Sequence, residues 1–424
     1  MNAATGIARR AQETETPGRA PAVVLPAHDG GTRLHVLAPA RAWARPEAPF
    51  AARKVYAAAH VIPAVTGDNT PGAPAEIDWD ATLDFRHELW SYGLGVADAM
   101  DTAQRGMGLD WAATRELIRR VGAEAARVAA SGAVPAVAGL SVRDLVACGA
   151  GTDQLDLAAV PAGPAGVELS LKAYREQLAV VEGAGPKVIL MASRALAKAA
   201  AGPDDYLRVY GTLLEEARKP VILHWLGTMF DPALAGYWGS EDVAAATETF
   251  LELIRAHAHK VDGVKVSLLD AAHEVALRAV LPEGVRLYTG DDFNYPELID
   301  GDGSLHSDAL LGIFAAIYPA ASAALQAYDA GDPAGARSVL DSTRELGLHI
   351  FSAPTVYYKT GIAFLAWLNG HQAGFQMVGG LHSGRSVPHL VRVFELADAA
   401  GLLLDPELAA RRMSAFLEVN GVPQ

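Results

Sequence analysis

Lys265 stands in the middle of an apolar run, Asp262-Gly263-Val264-Lys265-Val266-Ser267-Leu268. If that run is a strand, Val264, Val266 and Leu268 point one way, and Lys265 and Ser267 point the other. A lysine turned into a closed interior loses its hydration, and desolvation favours the neutral amine. A neutral amine is what attack on a carbonyl carbon requires, giving a Schiff base. Two structural roles compete with that chemistry: pairing with an inward acid such as Asp291, or snorkelling to the rim. Earlier in the chain His224 ends the run Pro220-Val221-Ile222-Leu223-His224. A histidine there could pass a proton to or from a bound substrate, or sit hydrogen-bonded in the core.

The elements that must position these residues alternate. Short β-rich runs occur at 54–62, 93–100, 134–139, 187–192, 220–226, 263–268, 286–290 and 308–314. Most of the intervals carry helical patterns, with Asp110, Asp204, Ser240 and Asp270 placed to cap the first turns. Eight strands alternating with helices predict a parallel (β/α)8 TIM barrel, with a doubly wound open sheet as the competing arrangement. Residues 1–53 read as a polar tail and a hairpin extension around His28-Asp29-Gly30-Gly31, 54–319 as the barrel, and 320–424 as a helical appendage.

In such a barrel the chemistry sits at the C-terminal strand ends. His60 ends the first strand. Asp101, Thr102 and Gln104 follow the second, where carboxylate, hydroxyl and amide groups bond substrate hydroxyls well. Ser193 and Arg194 follow the fourth; Arg194 could hold a carboxylate or phosphate, or form a surface ion pair. Gly290, Asp291 and Asp292 end the seventh, the glycine allowing close approach and the acids binding hydroxyls or orienting Lys265. Asp292 could instead cap the turn into Phe293.

The 424 residues carry 35 Lys and Arg against 49 Asp and Glu, a net charge of −14, which argues against nucleic acid or an anionic membrane as a partner. A single cysteine, Cys148, excludes an intrachain disulfide. The first 21 residues have no apolar stretch behind their arginines, so no signal peptide is expected, and the longest apolar runs fall short of a membrane span. A cytoplasmic location follows as the expectation. GxGxxG, GxxxxGK[ST], HExxH and CxxC patterns are absent, so no cofactor or metal is expected.

The order of the pieces resembles the dihydrodipicolinate synthase/N-acetylneuraminate lyase family of class I aldolases. IDWDATLDF follows the first strand. DTAQRGMGLDW follows the second, where that family has a Gly-Thr-Thr-Gly-Glu loop. VPAVAG resembles its third strand, PVILHWLG its fifth, and GVKVSLLD its sixth, which carries the Schiff-base lysine. YTGDD, ALLGIFAAIYP and AYDAGDPAGA resemble its seventh strand, its eighth strand and its first C-terminal linker. The likeness runs from about 54 to 404 and implies Lys265 as the imine-forming residue of an aldolase or lyase acting on a keto sugar or a 2-keto acid derivative.

Two departures mark a divergent branch. His224 stands where the family has a proton-relaying tyrosine, and Asp101-Thr102-Ala103-Gln104 replaces the threonine pair that holds a keto-acid carboxylate. Asp101 would repel such a carboxylate unless Arg105 faced it, so a polyhydroxylated neutral ketone suits the loop better than pyruvate. The stretch 228–240 is extra and reads as either a lid or a structural loop. A dehydratase is the nearest variant of this reading. Two others stay open: a metal-dependent isomerase or hydrolase using His60, His224, Asp291 or Asp308, and a ligand-binding barrel that has lost catalysis. The resemblance also implies a homo-oligomer, a dimer or tetramer.

Overall fold

The computed structural model describes residues 20–27 and 30–424, so most of the expected tail, and His28 and Asp29 of the hairpin turn, lie outside the described residues. Strands β1 (Ala22–Pro26) and β2 (Thr32–Val36) form an antiparallel hairpin. The other eight are β3 (Val55–Ala58), β4 (Gly95–Asp98), β5 (Val146–Ala150), β6 (Lys187–Leu190), β7 (Val221–Leu226), β8 (Val261–Ser267), β9 (Arg286–Thr289) and β10 (Asp308–Leu311). They run parallel, and β10 pairs back with β3, which closes a (β/α)8 barrel and excludes the open sheet.

The barrel strands are short, apolar and nearly all buried, as expected of strands covered on both faces. Tyr56, Ala97, Ala147, Ile189, Ile222, Tyr288 and Leu310 fill the interior. Beneath Lys265 the next inward position of β8 is Gly263, and a Cβ there would collide with the Tyr288 ring at 2.6 Å. The barrel is thus a packed plug, and polar chemistry is confined to its ends.

The third strand is not VPAVAG. Pro135–Val137 is a single 3₁₀ turn, and the strand forms at Val146–Ala150 after a one-turn helix, Val142–Leu145. Pro135 has no N–H for a ladder and Gly139 turns the chain with φ +77°, so an apolar run that looks strand-like is broken at both ends. Asp110 and Asp270 cap their helices through Ala113 and His273 N–H. Asp204 instead lies in the first turn of Pro203–Glu216, whose cap is Gly202, and Asp242 rather than Ser240 caps Val243–Ala256.

The C-terminal region is helical, with Pro333–Ile350, Tyr358–Leu368, Val387–Ala399 and Pro406–Val419 close to where the pattern put them. Residue 319 falls inside the helix Ile313–Asp329, which passes through Pro319 with a local distortion at Ile317. The hairpin docks on this region: His35 bonds Asp398 at 2.8 Å, and the Gln424 side chain bonds both N–H and C=O of Val24. Among the described residues no helix is long and apolar enough to cross a membrane.

Candidate active site

Lys265 is an inward residue of β8, 8% exposed, directly opposite His224 in the β7–β8 register. Its side chain has room at the end of the barrel because a glycine, Gly290, follows the next strand. A Cβ at Gly290 would lie 2.8 Å from Lys265 Cε and press on Ser267 Oγ. Gly290→Ala is therefore expected to push the amine out of line and to slow imine formation roughly 100-fold. Overpacking should destabilise the fold by only about 1–3 kcal/mol. Trapping rates alongside a thermal melt check this; unaltered trapping would mean that the lysine has room to spare.

Burial lowers the Lys265 pKa, and the carboxylates of Asp101 and Asp292 work against that. Burial pushes Asp292 up to about 7, opposed by the Ile313 N–H it accepts at 2.8 Å and by Lys265. Each group favours the charged form of the other against the effect of burial. The sequence leaves either acid open to orienting Lys265 and offers Asp292 as a cap on the turn. The cap is Asp291, which accepts from Phe293 and Asn294 N–H at 2.9 and 3.0 Å and from Asn294 Nδ2 at 2.8 Å. Strand alternation stops at Thr289, so parity no longer indicates which acid turns inward.

A small enclosed gap of about 10 Å³ lies over the amine, lined by Asp101, Thr102, Ser267, Asp292, Leu226, Phe230 and Tyr358 among others. Thr102 Oγ1 and the Tyr358 hydroxyl are 2.8 Å apart. Tyr358 begins the helix Tyr358–Leu368, stacks on Phe351 with ring centres 4.3 Å apart, and is held protonated by burial and by Asp101. No local motif announces it. Its one sequence signal is a Tyr-Tyr-Lys triplet opening an otherwise apolar helix.

His224 is buried and does not line this gap. Its Nε2 lies 3.4 Å from Ser267 Oγ, its Nδ1 has no partner among the described residues, and burial together with Lys265 holds it neutral. Gln104 is not placed as a substrate contact: at φ +68° it turns the loop, donating to Met107 and Val378 carbonyls at 3.0 and 2.9 Å. Arg105 is engaged with Asp153, Gln177 and the Gly149 carbonyl.

Beyond the gap a cleft of about 270 Å³ is lined by Asp101, Thr152, Ser193, Arg194, Asp231 and others. Ser193 caps its helix through Leu196 N–H and bonds Thr152 Oγ1 at 2.6 Å, while Arg194 pairs with Asp231. In the extra stretch 228–240, Asp231 and Leu234 border the cleft, Phe230 lines the gap over the amine, and Trp238 packs in an aromatic cluster with Tyr206, Tyr210 and Phe250. The four candidate metal ligands are not assembled. Asp308 starts its strand at the far end and pairs with Arg286, His60 bonds Gln372 at 3.1 Å, and Asp291 is used as a cap. Among the described residues no group of three or more His, Cys, Asp or Glu is placed to hold a metal.

Solved structures share this fold at low identity. Dihydrodipicolinate synthase from Thermotoga maritima superposes with a TM-score of 0.57 at 15% identity, covering 82% of this chain and 99% of that one. The 4-hydroxy-tetrahydrodipicolinate synthase of Methylacidiphilum fumariolicum SolV gives 0.57 at 13%, over 85% and 99%. The Acinetobacter baumannii dihydrodipicolinate synthase, solved in complex with pyruvate, gives 0.54 at 15%, over 82% and 99%. No curated protein sequence matches the chain. The family model described as "Protein of unknown function (DUF993)" matches residues 23–422, nearly the whole chain, and the chain belongs to that family.

Proposed function

We propose that this protein is a class I aldolase or lyase in which Lys265 forms a Schiff base with a ketone. The observation that carries the reading is a buried lysine across the end of a closed barrel, beside Asp292 and under an enclosed polar gap. The neutral amine adds to the substrate carbonyl, and loss of water leaves an iminium. The β-hydroxyl of the bound substrate then gives up its proton, the Cα–Cβ bond breaks, and its electrons pass into an enamine as an aldehyde leaves. Protonation at Cα and hydrolysis return the amine and the second product. Condensation is the same path reversed, and elimination of water from the iminium is the dehydratase variant. The dihydrodipicolinate synthases of the same fold lend this chemistry support, while Asp101 beside the amine favours a hydroxylated ketone over one with a carboxylate on the carbonyl carbon.

The Thr102–Tyr358 hydroxyl pair opens onto the gap and is the proton relay in this reading. His224 positions Ser267 from behind. Borohydride reduction with a panel of keto sugars and 2-keto acids, read by intact mass and peptide mapping, tests the scheme; an adduct on Lys265 is the expected result. With a cleaved substrate in hand, Tyr358→Phe should lower turnover roughly 100-fold, the scale of one general acid–base group, while leaving trapping intact. An equal loss in His224→Asn with none in Tyr358→Phe would return the relay to the histidine. No adduct from any ketone would favour the ligand-binding reading.

A further inference from the structure

A second lysine is buried at the mouth of the same site. Lys359 follows Tyr358 in the C-terminal helix, is 3% exposed, and faces a narrow gap bordered by Asp101, Arg194, Phe230 and Asp231. That gap shares Asp101, Arg194 and Asp231 with the larger cleft of about 270 Å³. An ammonium has three donors to satisfy, and among the described residues Lys359 Nζ has one hydrogen-bond contact, the Met107 thioether at 3.2 Å. A thioether is a weak acceptor, and the Tyr358 ring 5.1 Å away offers only its face. Asp101 and Asp231 act on the lysine at longer range, but neither forms an ion pair with it: Asp231 is taken by Arg194. A buried, under-bonded cation bordering an open cleft is costly unless an anion completes it.

We infer that Lys359, with Arg194 beside it, binds an anionic group carried by the substrate away from its carbonyl, a phosphate ester or a distal carboxylate. The inference rests on the Lys265 reading for what happens at the carbonyl end, and it deepens that reading. Around Lys265 the surroundings are acidic, with Asp101 and Asp292, whereas the uncommitted positive charge lies beyond Asp101 towards the cleft. The substrate is accordingly hydroxylated and uncharged next to the ketone, and anionic at its outer end. Arg105 cannot substitute, because Asp153 and Gln177 already occupy its guanidinium.

Two measurements separate this inference from the imine chemistry. In the first, calorimetry follows inorganic phosphate binding to the wild-type protein and to Lys359→Met. Wild type should bind saturably and the variant at least about tenfold more weakly, the loss expected when one charge-assisted contact is removed. Lys359→Arg should keep most of the affinity. Equal binding by the methionine variant, or none by wild type, overturns the inference whatever Lys265 does. In the second, borohydride trapping compares dihydroxyacetone with its monophosphate and with 4-oxopentanoate. At least one anionic ketone should half-saturate at a concentration about tenfold or more below the neutral one, and that ratio should fall towards one in Lys359→Met. A ratio unchanged by the substitution sinks the subsite. Phosphate binding that depends on Lys359, with no ketone trapped anywhere, strikes the aldolase reading alone.

Discussion

Lys265→Met is expected to yield no borohydride adduct with any ketone and to lower turnover by at least about 1,000-fold, because no other group in the gap can form the covalent intermediate. The substitution exchanges a desolvated amine for an apolar chain of similar length, so the melting temperature should hold or rise. That separates lost chemistry from a lost fold. The pH dependence has a definite sign. At low pH the amine is an ammonium, which cannot attack. Because burial lowers the Lys265 pKa, the amine sheds its proton below the ordinary lysine range, and the trapping rate climbs as pH rises. Asp292→Asn removes a carboxylate that favours the ammonium, so the rise should move to lower pH. A profile displaced to higher pH, or adduct formation persisting in Lys265→Met, would place the nucleophile elsewhere.

The lysine was legible because strand alternation is a local rule: one cation among valines, with Ser267 two residues on, declares which face is inward. The strands were legible as short β-rich apolar runs set between helical patterns, apart from the third. There the small residues of Val146–Ala150 make a quieter signal than the apolar run at 134–139, and the proline in that run decides against it. What the sequence could not reveal came from distant elements. Tyr358 and Lys359 reach the site from the C-terminal helical region, and nothing local ties them to Asp101 or Thr102. The order of Asp291 and Asp292 depends on a turn where periodicity has ended. The amide nitrogen of Gln104 braces the loop through the Met107 and Val378 carbonyls, and such bracing has no signature of its own in the sequence.

The C-terminal region is therefore part of the site rather than an addition to it. Gln104 ties the loop after β4 to Val378, Thr102 bonds Tyr358, and Gly312 leaves room for the rings of Phe351 and Tyr358, which a Cβ would meet at 2.9 and 3.1 Å. The enclosed gap over Lys265 exists only where barrel and appendage meet.

The loop that carries Asp101 and Thr102 hangs from a strand end that is itself clamped. Arg86, on the helix Trp79–Ser91, and Asp98, the last residue of β4, are both fully buried. Two parallel bonds of 2.9 Å join them, and Arg86 also donates to the His60 and Thr82 carbonyls at 2.7 and 3.0 Å. Asp98 in turn accepts the N–H of Ala99, a residue held at φ +51° where the chain swings into the Asp101–Thr102 loop. Arg86→Met would leave a bare carboxylate in the core, and its expected cost is about 3–5 kcal/mol by chemical denaturation. Asp98→Leu should cost a similar amount by stranding the guanidinium. Removing both charges together should recover much of the loss, since a buried pair replaced by apolar groups of similar volume is often close to neutral. The double-mutant cycle thus predicts a coupling of at least about 3 kcal/mol, at or above the top of the range for residues in contact. Losses that simply add would show that the two side chains act separately. Even a stable double variant should trap ketones slowly, because the fold would survive while Ala99 and the loop after it lost the clamp that sets Asp101 and Thr102 over the amine.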